Sequence, residues 1–196
     1  GGSNPPLATN TTMKLSIIII SFQSNHLLKK ILNNFPKKYQ IIIVENSMLK
    51  STKKLEKKFK NTSVIIPNEN LGYSKALNLA FKKCKNNFVL TLTPDVLINK
   101  YLISNIEKVI YKFKQFTLLA PEYRNQKIYK NYTTFDNKPL NKKKIYNFRI
   151  EEVKEIDWCF CILNKKKFSN SKILDENFFM YFETTDLCKK LLKLKR

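Results

Sequence analysis

Glycine is nearly absent from this chain. Of its 196 residues only three are glycine, and two of those, Gly1 and Gly2, stand at the very start. The third, Gly72, lies in "PNENLGYSKALNLAF" (67–81), between an apolar run and a helix-like stretch. A chain that does without glycine elsewhere keeps one where the backbone needs positive φ, or where something approaches too closely for a side chain. Two readings are open from that stretch alone: a plain turn, or a ligand. Histidine is scarcer still. With His26 as its one representative, a Ser-His-Asp triad has no support. Cys84, Cys159, Cys161 and Cys188 form no CxxC pair, which removes a zinc site of ordinary spacing. Cys159 and Cys161 alternate in an apolar stretch and are expected on one buried strand face, reduced. Arginine is limited to Arg124, Arg149 and Arg196, so the formal charge of +22 is almost all lysine. Proteins that read nucleic-acid sequence rely on arginine forks, and no specific nucleic acid is expected. The lysines read either as solvated faces or as a surface drawn to anionic lipid or phosphorylated substrates. No apolar run reaches the roughly 18 residues of a membrane span, and no signal-peptide pattern precedes the first strand. The expectation is a soluble, cytoplasmic protein.

What is present is an alternation of strands and helices. Residues 1–12, "GGSNPPLATNTT", have no hydrophobic period and read as a tag or linker; residues 13–196 make one domain's worth of chain. "LSIIII" (15–20), "YQIIIV" (39–44), "SVII" (63–66) and "NFVLTL" (87–92) are short apolar runs, as in strands buried on both faces. Between them lie "SNHLLKKILNNF", with Ser24 or Asn25 placed to cap, then "STKKLEKKFK", then a helix from Tyr73 to Cys84 with Ala76, Leu77, Ala80 and Phe81 on one face. This β-α-β-α-β-α-β order predicts a mostly parallel sheet with right-handed crossovers, the strand order of an α/β fold. Ligands bind such sheets at the carboxyl ends of the strands. Those ends are "SFQS", "ENS", "PNENLG" and "TPD", two of them carrying the carboxylates Glu45 and Asp95. Gly72 belongs to the same rim, and the N–H groups opening its helix offer a place for phosphate.

These motifs resemble, in order, those of a family 2 glycosyltransferase with the GT-A fold, in the subgroup near bacterial rhamnosyltransferases. "KLSIIIISFQS" is similar to the family's first strand, and "IIIVENS" to its strand ending in Asp-Asn-Ser. "NENLGYSKALNLAF" resembles the segment that lines the sugar-nucleotide site, and "LTLTPDVLI" the local form of the DXD metal motif. "LDENFFMYFETTDLCKKL" (174–191) resembles the acid-bearing block near the acceptor. The resemblance covers nearly all of residues 13–196. It implies a nucleotide-sugar-binding half over 13–95 and an acceptor-side half over 96–196, with a further helix usual in the family after "KKLLKLKR". It also implies an inverting, metal-dependent hexosyl transfer from a UDP- or dTDP-sugar to a glycan or lipid-linked acceptor, in cell-surface polysaccharide synthesis. Peripheral contact with anionic membrane would accompany a lipid-linked acceptor.

Residue by residue, the resemblance implies that Ser21, Glu45, Asn70, Gly72, Tyr73, Asn78 and Thr93 bind donor. Asp95 would hold Mg2+ or Mn2+ against the diphosphate, with Thr93 at the motif's first acid position. Asp95 has a second reading, as a cap of the helix "VLINKYLISNI", and Asn46, Ser47, Asn70 and Asn78 are equally able to serve as turn or cap residues. An inverting transfer needs one base for the acceptor hydroxyl. The family commonly puts it where this chain has Thr184, leaving Glu183 as the base and Asp186, three residues on and on roughly the same helical face, as its support. Both acids would also suit a helix N-terminus. Asp157 and Trp158, opening an expected strand "IDWCFCIL" (156–163), would line the acceptor side, unless Trp158 is a core residue. The lysine-rich stretch 122–148 would cover that side. A sugar nucleotidyltransferase would need a glycine- and arginine-rich first loop where this chain has "SFQSNHLL". A donor-binding relic without turnover, and a basic module for anionic surfaces or nucleic acid, are the other classes.

Overall fold

Four isoleucines in a row, Ile17–Ile20, make the middle of the first strand, β1 (Leu15–Ser21), and all seven of its residues are buried. An unbroken β-branched run is tolerated only where both faces of a sheet are covered. Here they are. Ile17 and Ile19 pack with Leu28 and Ile31 of α1 (Asn25–Leu32), while Ile18 points into the opposite cluster. The computed structural model describes residues 13–122, 131–135, 142–145, 147–169 and 172–194. The expected tag 1–12 and much of the expected acceptor-side cover 122–148 lie outside the described residues.

The chain continues through β2 (Gln40–Glu45), α2 (Lys54–Lys58), β3 (Thr62–Ile65), α3 (Gly72–Lys82), β4 (Phe88–Leu92) and α4 (Lys100–Lys112). After these come the short strands β5 (Leu118–Leu119), β6 (Tyr132–Thr133), β7 (Lys142–Ile145), β8 (Phe148–Glu151) and β9 (Glu155–Ile156), then β10 (Phe160–Asn164) and α5 (Glu183–Lys193). The central sheet has the order β3-β2-β1-β4-β10-β5. β1 pairs in parallel with β2 and β4, β2 with β3, and β10 runs antiparallel to β4. α1 and α4 cover one face, through residues such as Ile103, Ile106 and Ile110. α3 and α5 cover the other, through Ala76, Leu77, Phe81, Leu187 and Leu191. The mostly parallel, helix-flanked sheet predicted from the sequence is therefore the observed one.

Two local expectations are corrected. The run "IDWCFCIL" is not one strand: β9 ends at Ile156, residues 158–159 turn, and β10 begins at Phe160. Cys159 is consequently exposed in the turn, whereas Cys161 is buried in β10. Ser24 stands at the N-cap position of α1, but its hydroxyl donates to Phe22 O (2.7 Å) instead of capping.

Candidate active site

The carboxyl ends of β1, β2, β3 and β4 share one edge, and a cleft of about 870 Å³ opens along it. Asn70, Gly72, Tyr73, Thr93 and Asp95 line one side, and Asp157, Trp158 and Glu183 line the other. A smaller cavity of about 390 Å³, beside β5 and β8, contains none of these residues. Eight of the twelve residues singled out from the sequence thus meet in one cleft, from stretches far apart in the chain.

The turn after β4 presents Asp95 to solvent. It does not cap α4. That position is taken by Asn99, whose Oδ1 accepts from Leu102 N (2.8 Å), so the capping reading of Asp95 falls away. Thr93 beneath it donates its N–H to Cys159 O (3.2 Å), and its Oγ1 is buried without a protein partner among the described residues. The Cys159 thiol is pushed up, first by partial desolvation and then by the charges of Asp157 and Asp95. Two carboxylates therefore act on one point of the cleft mouth.

Gly72 sits at the start of α3 with φ +68°. Both demands that favour glycine coincide there, since a Cβ would lie 2.3 Å from the backbone oxygen of Phe179. The close neighbour is the protein's own chain. Phe179 O accepts the N–H of Tyr73 (2.7 Å), so that donor at the helix start is already taken and the expected phosphate cradle is reduced by one group. Asn70 Oδ1 accepts from Gly72 N (3.0 Å), and Asn46 Nδ2 donates to Gly72 O (2.9 Å). The Tyr73 phenol lies in the floor; burial foremost, then Cys161 and Glu183, hold its pKa well above the ordinary range.

Four of the residues lie off the cleft. Glu45 and Ser21 are register partners at the ends of β2 and β1, both fully buried. Glu45 Oε1 accepts from Ser47 N (3.0 Å) and from the Ser47 hydroxyl, while its Oε2 and the Ser21 hydroxyl have no protein partner among the described residues. Asn78 is buried and fully occupied. Its Oδ1 accepts from Ile173 N (2.9 Å) and Leu174 N (3.1 Å), and its Nδ2 donates to Leu174 O (2.8 Å) and Glu176 Oε1 (3.2 Å). It anchors the chain rather than facing a ligand. Asp186 is ion-paired to Lys190 (2.6 Å) and does not line the cleft, which counts against it as support for Glu183.

Glu183 opens α5. It is 7% exposed, with Oε2 buried and unpartnered among the described residues, and burial pushes its pKa up. Thr184 and Thr185 follow it along the wall, and Thr185 Oγ1 donates to Glu155 Oε2 (3.2 Å). Trp158 packs in the core and also lines the cleft, with its Nε1 unpartnered among the described residues. Sequence reasoning passed over Asn46, which lines the cleft with a buried, unpartnered Oδ1, and over exposed Phe22, Tyr181 and Phe182 at the mouth. The signal for Asn46 was its place beside Glu45 at a strand end.

The family model for Glycosyl transferase family 2 matches residues 16–171. Among curated proteins, the chain is 24% identical over 199 residues to the rhamnosyltransferase WbbL of Escherichia coli (strain K12), covering 89% of this chain and 75% of that protein. Among solved structures, residues 1–349 of S. aureus TarS in complex with UDP superpose with a TM-score of 0.66 at 20% identity, over 91% of this chain and 54% of that one. The same TarS fragment with UDP-GlcNAc gives 0.65 at 18% identity, over 91% and 53%. The mannosyltransferase PcManGT of Pyrobaculum calidifontis, with GDP-Man and Mn2+, gives 0.65 at 12%, over 90% and 51%. The chain spans about half the length of these solved chains.

The buried carboxyl of Glu183 makes a stability prediction. A group whose pKa is raised on folding is protonated more readily in the folded chain, so its contribution is intact below the unfolded value and is lost as pH rises through the folded one. Glu183→Gln removes that loss. Thermal unfolding of the variant should show a gain over the parent at pH 7 that shrinks to nothing below about pH 4. A variant less stable than the parent at pH 7 would mean that the ionised carboxylate is well satisfied.

Proposed function

The chain belongs to glycosyl transferase family 2, and we propose that it is an inverting, metal-dependent transferase moving a hexosyl group from a UDP- or dTDP-sugar to a glycan or lipid-linked acceptor in cell-surface polysaccharide synthesis. The observation that carries this reading is the pairing, in one strand-end cleft, of a buried carboxyl with a free oxygen, Glu183, and an exposed carboxylate, Asp95. The names of the relatives support the donor class: TarS was solved with UDP and with UDP-GlcNAc, and the curated relative is a rhamnosyltransferase.

The residues fit a hard cation of the kind seen with PcManGT. Among the described residues no three acids, cysteines or histidines converge as a ready metal cage. Asp95, with Asp157 acting on the same thiol, offers what nucleotide sites commonly use, one or two carboxylates completed by phosphate and water. Mg2+ or Mn2+ bound there would neutralise the charge of the departing nucleoside diphosphate. Glu183 takes the proton of the acceptor hydroxyl, whose oxygen forms the new bond to the anomeric carbon as the bond to the diphosphate breaks on the opposite side. Desolvation raises the basicity of Glu183 toward that of the group it must deprotonate. Asn46 and Thr93 line this cleft with buried polar atoms unpartnered among the described residues, and the base or ribose of a donor would complement them.

Thr93 and Thr184 stand where the resembling family carries acids, and they favour one other reading, a donor-binding protein without turnover. A basic module for nucleic acid is less apt, because among the described residues no lysine lines the cleft. Lys14, Lys37, Lys60, Lys83 and Lys166 are exposed at the amino edge of the sheet, opposite the cleft. We propose that this edge rests peripherally on the anionic cytoplasmic face of a membrane. A lipid-linked acceptor would then reach the cleft with its glycan and not with its lipid.

Donor binding is tested by thermal shift. At about 100 times Kd a UDP- or dTDP-sugar with Mn2+ stabilises by about 2.7 kcal/mol, or roughly 5–10 °C, and Asp95→Ala should lose the metal-dependent part. Unchanged metal dependence in that variant would remove Asp95 from the site. Turnover is the second measure: Glu183→Gln should lower transfer about 10²–10⁴-fold with donor affinity nearly intact, because an amide cannot accept the proton. Normal turnover would exclude Glu183 as base, and donor binding without transfer in the parent protein would establish the binding-only reading. For the membrane, flotation with vesicles should show binding to phosphatidylserine-containing bilayers that weakens with salt, and little to neutral ones. Equal partition would make the lysines merely compositional.

A further inference from the structure

The carboxyl of Glu183 is placed by the chain that precedes it. Residues 172–182 are laid across α3 and fixed at two points. At one end, Asn78 spends both halves of its amide on Ile173, Leu174 and Glu176. At the other, Phe179 O accepts from Tyr73 N, directly over Gly72. Gly72 is itself held from both sides, its N–H by Asn70 and its carbonyl by Asn46. Beyond this second point come Tyr181 (φ 69°) and Phe182 (φ 65°), two successive side-chain-bearing residues in the left-handed region, both largely exposed. Isolated L-residues rarely adopt that conformation and pairs of them more rarely still, so the surrounding structure has to impose it. The imposed turn delivers Glu183 inward, while its neighbours Tyr181 and Phe182 stay in solvent.

We propose that Gly72 and Asn78 are positioning residues for Glu183, clamping the strap 172–182 so that its end carries the carboxyl into the cleft. The inference rests on the reading of Glu183 as the proton acceptor. It gives the lone internal glycine its reason: the strap passes where the first side-chain atom of α3 would be. It also gives Asn78, which does not line the cleft, a part in the chemistry through its four hydrogen bonds with the strap.

Gly72→Ala and Asn78→Ala separate this role from a merely structural one. The titratable groups facing Glu183 are the neutral phenol of Tyr73 from α3 and, along the same wall, the carboxylates of Glu155 and Asp157, and none of them is altered by either variant. In ¹³C-labelled protein the Glu183 carboxyl, assigned through Glu183→Gln, should titrate nearer the ordinary glutamate range in both variants than in the parent. Amides of 173–183 should exchange at least 10-fold faster, while those of β1 and β2 keep their protection. Where the parent turns over, kcat should fall at least 10-fold with donor KM within about threefold. Unchanged titration and unchanged strap exchange in both variants would overturn the proposal. If Gly72→Ala loses β1 protection, and so the fold, Asn78→Ala decides alone. A shifted titration with fast strap exchange in a protein whose Glu183→Gln variant still transfers would leave the clamp standing and sink the base.

Discussion

A carbonyl oxygen rests against the first turn of a helix at a point where no side chain can stand. That contact, Phe179 O over Gly72 with the Tyr73 N–H bonded to it, joins the two halves of the molecule. α3 belongs to the first half, wound from alternating strands and helices in nearly continuous sequence. The strap belongs to the second half, a hundred residues later. A helix start has unpaired N–H groups that must find acceptors. Many nucleotide-binding proteins leave them for a phosphate. Here the chain supplies one of the acceptors itself, and so converts a possible ligand site into a joint. The cleft exists because the joint brings the acid-bearing strap to the edge where the parallel strands end.

The same edge is where polar satisfaction fails. Among the described residues, Ser21, Glu45, Asn46, Thr93, Trp158 and Glu183 each leave a buried polar atom without a protein partner, and Trp158, Thr93, Asn46 and Glu183 all line the cleft. A buried group left unpaired costs on the order of 1–3 kcal/mol, so several at one place are a substantial local destabilisation. Other such atoms lie away from this edge, on Thr52 and Thr62 for example, while Tyr39 donates to Glu107 and Asn78 uses its whole amide. What sets this edge apart is that several of these atoms belong to residues lining one cleft, and folds retain such imbalance where a ligand completes it.

Most of the fold was legible in the sequence, because buried parallel strands announce themselves as apolar runs and the connecting helices as amphipathic periods. "LSIIII" and "YQIIIV" fall within a residue of β1 and β2. The run 156–163 misled because Trp158 and Cys159 are as apolar as strand residues, yet they turn the chain, and hydropathy alone carries no turn signal there. Site residues on strand ends and their loops were readable for the same reason, topology fixing which ends meet. Those set by long-range hydrogen bonds were not. Asn78 looked like a ligand contact because its motif lies beside Gly72, but its partners, Ile173 to Glu176, are separated from it by nearly the length of half the domain. Asp186 looked like a companion of Glu183 by helical spacing, and Lys190 one turn further on claims it.

The loss of an acid at Thr93 has a consequence for how the site would be filled. On the proposed reading, Asp95 is exposed and carries most of the protein's hold on a divalent cation. A single solvated carboxylate binds Mg2+ or Mn2+ weakly, since the ion keeps most of its water and gains little beyond one charge–charge contact in high dielectric. A nucleoside diphosphate supplies the missing oxygens, so cation and donor would bind with strong mutual dependence, each scarcely held alone. This coupling also acts on Glu183. Desolvation raises the pKa of its buried carboxyl. Divalent charge held at Asp95 would act in the other direction, because an opposite charge nearby stabilises the ionised form. On that reading the ionised, proton-accepting form of Glu183 would be favoured more with the cation in place than without it. A single carboxylate at the metal position would thus make the cation's hold, and with it any effect on Glu183, depend on the bound donor.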